Sequence, residues 1–176
     1  MIKICVALLL VIAGCKKETD AMHDQLIYGN KGKEFTFESY VSGKERSVLL
    51  SIPANAISGS NEMLEYYDFY LKKSEDLDRY YINYLSNNIN LFRTTAGELL
   101  KPATIKIPFP SNLNYVSFSP YKPYKVKLDG RTDMMAALND TSNWQLISNF
   151  TWDNTEKLII FTISDLNAAY VLARPK

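Results

Sequence analysis

Glu34-Phe35-Thr36-Phe37-Glu38-Ser39-Tyr40 alternates two sets of side chains: Phe35, Phe37 and Ser39 fall on one side of an extended chain, Thr36, Glu38 and Tyr40 on the other. Ser42-Gly43 interrupts the pattern, and a second run, Ser47-Val48-Leu49-Leu50-Ser51-Ile52, is stopped by Pro53. Outward from this pair, residues 64–71, 89–93, 103–107, 124–128, 144–151, 157–163 and 169–173 are short runs rich in Val, Ile, Phe, Tyr and Thr, bounded by Gly, Pro, Asn and Asp. Such spacing predicts an all-β fold, a β-sandwich of about eight to nine strands. Asp153-Asn154, set between Trp152 and the run that starts at Leu158, reads as a hairpin turn, because Asn and Asp tolerate the backbone angles a tight reversal needs. Helix is expected only in residues 75–85 and 132–138, both too short to organise a core.

Upstream of the strands the chain carries an address. Met1-Ile2-Lys3 is a short positive start, residues 4–12 are continuously apolar, and Ala13-Gly14 leads directly to Cys15. The run is too short for a permanent transmembrane helix and has the order of a secretory signal. Ile12-Ala13-Gly14-Cys15 resembles the bacterial lipobox. That resemblance implies acylation of the Cys15 thiol and cleavage between Gly14 and Cys15, leaving a lipid-anchored protein with residues 1–14 removed. Several acyl chains hold a protein on a membrane where one alone is marginal. Residues 15–33, polar at Lys16-Lys17-Glu18-Thr19-Asp20 and without sustained period afterwards, are expected to be a flexible tether, with the domain proper at 34–176. The acidic residues Glu18 and Asp20 resemble the export signal of Bacteroidetes surface lipoproteins, which implies the cell outer membrane and exposure on the cell surface.

Charge and cysteine use restrict the chemistry. Lys+Arg 20 against Asp+Glu 19 gives a net charge of +1, so no nucleic-acid partner is expected. The two cysteines are Cys5, in the removed segment, and Cys15. The body therefore holds no thiol for a disulfide or a nucleophile, and the single histidine, His23, falls in the expected tether, so no catalytic triad or zinc site is foreseen. No cofactor is implied, and the chain is read as non-catalytic. Glu75-Asp76-Leu77-Asp78 places carboxylates where they could offer oxygens to calcium, but a solvated loop is the simpler reading, and no metal site is assigned.

Two motifs and their order resemble a known module. Ser51-Ile52-Pro53-Ala54-Asn55-Ala56-Ile57 is similar to the strand followed by Pro-Ala-Gly-Ala-Leu that opens the ZU-five domain, the β-sandwich of zonula occludens, netrin-receptor and ankyrin proteins. Gly97-Glu98-Leu99-Leu100-Lys101-Pro102-Ala103 resembles that family's Gly, two residues, Phe, Lys-Pro-Val strand. A tryptophan strand at Trp144 and a closing strand after Asp165-Leu166-Asn167 complete the order. Asn55 stands where the family prefers glycine, as asparagine does where left-handed backbone angles are needed. Some members cut their own chain at a His-Phe-Ser motif; Asp165, Leu166 and Asn167 at the matching positions supply neither hydroxyl nor imidazole, so self-cleavage is not expected.

The resemblance implies a protein-interaction or assembly role, with an envelope protein as partner. An alternative is a glycan-binding accessory of a surface uptake system. It is motivated by the 12 tyrosines, of which Tyr80, Tyr81, Tyr84, Tyr121 and Tyr124 fall near inferred loops or strand ends and are candidate ligand contacts.

Overall fold

The computed structural model describes residues 21–41, 44–59, 61–70, 80–82, 88–96, 98–109, 120–128 and 134–176. They form twelve strands: β1 (Ala21–Tyr28), β2 (Lys33–Val41), β3 (Lys44–Ile52), β4 (Asn61–Tyr70), β5 (Tyr80–Ile82), β6 (Asn88–Thr94), β7 (Glu98–Pro108), β8 (Lys122–Lys127), β9 (Trp144–Leu146), β10 (Phe150–Asp153), β11 (Leu158–Asp165) and β12 (Ala168–Pro175). One short helix, α1 (Met134–Asn139), and a 3₁₀ turn (Thr141–Asn143) join β8 to β9. All pairings are antiparallel.

The strands make two sheets. The larger runs β1-β4-β6-β12-β8-β9, with β5 also on β12, and the smaller runs β10-β11-β7-β3-β2. The fold is thus an all-β sandwich, as the alternating runs foretold, with more strands than they suggested. Phe35 and Phe37 of β2, Val48 and Leu50 of β3, and Ile105 and Ile107 of β7 turn inward from the smaller sheet. They meet Leu64, Tyr66, Phe92 and Tyr170 from the larger one. Aromatic rings fill the centre: Phe37 stacks on Tyr66 at 4.2 Å between centroids, and Tyr66 lies 5.3 Å from Phe92. Rings at such offsets add to the burial of their own area.

Strand β12 is buried on both faces. Ala168, Tyr170 and Leu172 point into the space between the sheets, while Ala169, Val171 and Ala173 point outward into a second cluster with Ile89, Leu91, Tyr124 and Val126. Ala137 and Leu138 of α1 cover that cluster, so the helix expected near 132–138 exists and acts as a lid over the larger sheet.

Three expectations need correction. The tether predicted for 15–33 does not extend past Asp20, because Ala21–Tyr28 is strand β1, paired with β4 over its whole length and anchored by buried Ile27. Its sequence, Ala-Met-His-Asp-Gln-Leu-Ile-Tyr, has weak strand propensity and no clear alternation, so tertiary pairing decides its conformation. The single strand expected at 144–151 is two: β9 edges the larger sheet and β10 the smaller. The break at Ile147, whose N–H donates to Pro123 O at 3.0 Å, carries the chain across the flank. Tyr80–Ile82, inside one predicted helix, is instead strand β5.

Candidate functional site

The outer face of the smaller sheet carries a groove built by register. Glu34 of β2 lies opposite Ser51 of β3, and Ser51 opposite Thr104 of β7, so three polar side chains from distant positions share one row. Ser51 Oγ donates to Glu34 Oε2 at 2.8 Å. Gly32, Lys33, Ile52, Pro53 and Pro102 complete the walls of a shallow depression of about 360 Å³.

The turn chemistry that the sequence displays at this place sets the rim. Asn55 has φ 59, the left-handed conformation foreseen for it, and its N–H donates to Gly29 O at 2.9 Å. Lys101 Nζ donates to Ala54 O at 3.0 Å. Gly32 is required by proximity: a Cβ there would stand 3.1 Å from Ala54 N and 3.3 Å from Ile52 O.

Beside the groove runs an open strand edge. Among the described residues β2 pairs only with β3, and it presents exposed Glu34, Thr36 and Glu38 on its outer face. The edges at the other flank, β9 and β10, are three and four residues long, the usual way to blunt an edge. β2 has nine residues, enough to template another strand.

A second depression, of about 270 Å³, lies where the chain crosses from β9 to β10, bordered by Lys125, Gln145, Leu146, Asn149, Thr162 and Tyr170 among others. Two of its polar groups, Lys125 and Tyr170, are occupied in architecture. Lys125 Nζ pairs with Asp165 Oδ2 at 2.6 Å, and the Tyr170 hydroxyl donates to Asp165 O at 2.5 Å. Deeper in, the Tyr66 hydroxyl donates to Asn90 Oδ1 at 2.9 Å, and Asn90 Nδ2 donates to Tyr170 O at 3.4 Å. Burial, and then the nearby Asp68 carboxylate, push the Tyr66 hydroxyl well above its ordinary value; burial and Asp165 do the same to Tyr170. Both phenols stay protonated donors at neutral pH and offer no nucleophile.

Tyr121 and Tyr124, the two predicted ligand tyrosines whose side chains are described, do not converge. Tyr121 and Tyr124 are only 8% and 7% exposed. They serve different layers: Tyr121 packs with Phe109 near Trp152 at the end of the sandwich, Tyr124 edge-on to Trp144 at 5.5 Å in the outer cluster. Tyr121 precedes β8, whereas Tyr124 lies within it. Both are packing residues rather than the expected ligand contacts. Tyr80 and Tyr81 lie in β5, opposite Pro175 and Arg174. Tyr84, Gly14, Cys15, Glu75, Asp76 and Asp78 fall outside the described residues.

Sequence reasoning missed Glu34, Ser51, Pro102 and Thr104 as a unit. Pro53 and Asn55 mark the rim in the sequence, but the row itself exists only once β2, β3 and β7 are in register. Among the described residues no three His, Cys, Asp or Glu side chains gather as for a metal ion, and no helix is long and apolar enough to cross a membrane. The corner at Asp165-Leu166-Asn167 is a capped turn: Asn167 N–H donates to Asp165 Oδ1 at 2.7 Å and Thr94 N–H to Asn167 Oδ1 at 2.9 Å. No protein-family model and no curated protein matches this chain.

Proposed function

We propose that the chain is a non-catalytic lipoprotein of the bacterial outer membrane, anchored through Cys15, whose ZU-five-like sandwich binds an envelope protein by accepting an extended segment on the edge of β2. The observation that carries this reading is the juxtaposition of a nine-residue open edge with a groove that begins on the same strand. In strand addition, main-chain hydrogen bonds provide affinity and neighbouring side chains provide selectivity. Exposed Glu34 and Glu38, with Thr36 between them, would flank two residues four apart on an incoming strand, which favours a partner with Lys or Arg at that spacing.

A photo-crosslinking residue at Thr36 tests this in cells. One discrete envelope protein should be captured from position 36 and not from Gln145, and the capture should be lost in the Glu34→Lys, Glu38→Lys variant. Capture that is equal from both positions, or indifferent to charge reversal, rejects edge docking. For the anchor, Cys15→Ala should leave an unlipidated, soluble product; a membrane-bound product of unchanged mobility rejects it. The glycan alternative rests on Tyr80, Tyr81 and Tyr84. Retention on a glycan array that Tyr81→Ala abolishes would favour it instead.

A further inference from the structure

Unequal strand lengths open a window on one flank of the sandwich. β10 pairs with residues 158–161 of β11, Phe150 opposite Phe161, while β11 runs on to Asp165. β9 ends at Leu146, opposite Tyr124, and Ile147-Ser148-Asn149 then carries the chain across to β10. Residues 162–164 thus follow β7 on one side and, among the described residues, meet no strand on the other. Backbone groups of an antiparallel strand point alternately to its two sides, so part of this stretch aims N–H and C=O groups at the opening. Three residues are too few to template a further strand.

The polar side chains that rim the opening are chemically alike. Gln145, Ser148, Asn149, Thr162 and Ser164 are all exposed, and none of them makes a side-chain hydrogen bond among the described residues. Each is an amide or a hydroxyl, able both to donate and to accept. At the floor, the Lys125 side chain is 17% exposed, and of the three donors on its ammonium one meets Asp165 Oδ2 at 2.6 Å. That pairing offsets the charge and leaves donors to spare. Leu146, 47% exposed on the rim, adds an apolar surface to the polar setting.

We infer that this window binds one ring of a neutral saccharide, the amides and hydroxyls bonding its hydroxyl groups and Leu146 lying against its C–H face. Sugar hydroxyls both donate and accept, as the rim does. A simple anion would leave the acceptor oxygens of Gln145 and Asn149 unused, and an apolar ligand would strand all five polar groups. The volume of about 270 Å³ falls just below the roughly 300–1,000 Å³ of sites for drug-sized ligands, which suits a single ring with any further units outside. The window lies at the opposite flank of the smaller sheet from β2, so it neither requires nor competes with strand docking. It involves neither a lipid on Cys15 nor Tyr80 and Tyr81.

The test is saturation-transfer NMR on the full chain, with the methyl glycosides of glucose, galactose and N-acetylglucosamine as probes and sorbitol as the open-chain control. At millimolar concentrations at least one glycoside should receive transfer, concentrated on the protons of one ring face. Sorbitol should receive several-fold less, because it has no preformed face to lay on Leu146. Gln145→Ala with Asn149→Ala should weaken binding of that glycoside about tenfold, and Leu146→Ser several-fold. Glu34→Lys with Glu38→Lys and, separately, Tyr81→Ala should leave it unchanged. Circular dichroism and urea midpoints verify that these substitutions preserve the fold. No transfer to any probe, equal transfer to sorbitol, or binding that ignores the Gln145 and Asn149 changes overturns the site. Binding abolished by Tyr81→Ala overturns it in favour of the tyrosines.

Discussion

Lys125 and Asp165 meet at 2.6 Å across the gap between the sheets, the lysine reaching inward from β8 and the aspartate closing β11. With the hydrogen bond from the Tyr170 hydroxyl to Asp165 O, the contact joins two layers whose interior is apolar. Their side chains are 17% and 21% exposed, so the pair is neither a surface ornament nor a fully desolvated charge pair. Asp165 also accepts the Asn167 N–H that shapes the corner into β12.

Removing the two partners should therefore have unequal effects. Lys125→Met should cost about 1 kcal/mol, whereas Asp165→Ala, which also uncaps the corner, should cost about 2 kcal/mol. Urea unfolding of both variants checks the order. Equal losses would mean that the corner hydrogen bond contributes nothing.

The buried phenols predict a fall in stability at alkaline pH. Tyr66 and Tyr170 hold their protons above the ordinary value of 10.0 when folded, so the stabilisation is complete below pH 10 and is lost as pH rises and the unfolded chain alone gives up the protons. The slope should reach about −1.4 kcal/mol per pH unit for each phenol. Tyr66→Phe should halve the steepness of this decline, at a cost of about 1 kcal/mol at neutral pH from the lost hydrogen bond to Asn90. Denaturant midpoints between pH 9 and 11 measure both.

Lys157 has φ 58 in the turn from β10 to β11, a conformation that costs an L-residue roughly 1 kcal/mol. Lys157→Gly should stabilise the domain by about 0.5 kcal/mol after the greater entropy of unfolded glycine is counted. At Asn55, with φ 59, Asn55→Val should destabilise by about 2 kcal/mol, because a β-branched residue resists left-handed angles. Thermal unfolding distinguishes the opposite signs.

Gly32→Ala should cost about 1–2 kcal/mol and distort the groove, because the added methyl meets backbone atoms of Ile52 and Ala54 that have little freedom to retreat. The crosslink from Thr36 should weaken in the same variant. An unaffected crosslink at wild-type stability would show that the groove does not depend on this close approach.

Period-two alternation made β2 and β3 legible, since Phe35, Phe37, Val48 and Leu50 each face the core as their spacing implies. Asn55 likewise announces its own backbone angle. β1 was not legible, because His23, Asp24 and Gln25 disguise a strand whose order comes from β4. Nor was the passage from β9 to β10, where one extended run changes sheets without any glycine or proline to signal it. The groove was hidden for a different reason. Glu34, Ser51 and Thr104 carry no chemical motif, and their adjacency follows from hydrogen-bonded register between segments far apart in sequence.

Strand β12 lies between β6 and β8 and contributes to both apolar layers, with partners that precede it by some 40 to 90 residues. Neither layer can close until residues 168–175 have been synthesised, and pairing over such separations is slow. A ribosome-bound chain would thus remain open until its keystone arrives. Late placement of the central strand postpones collapse of the whole sandwich to the last stage of synthesis.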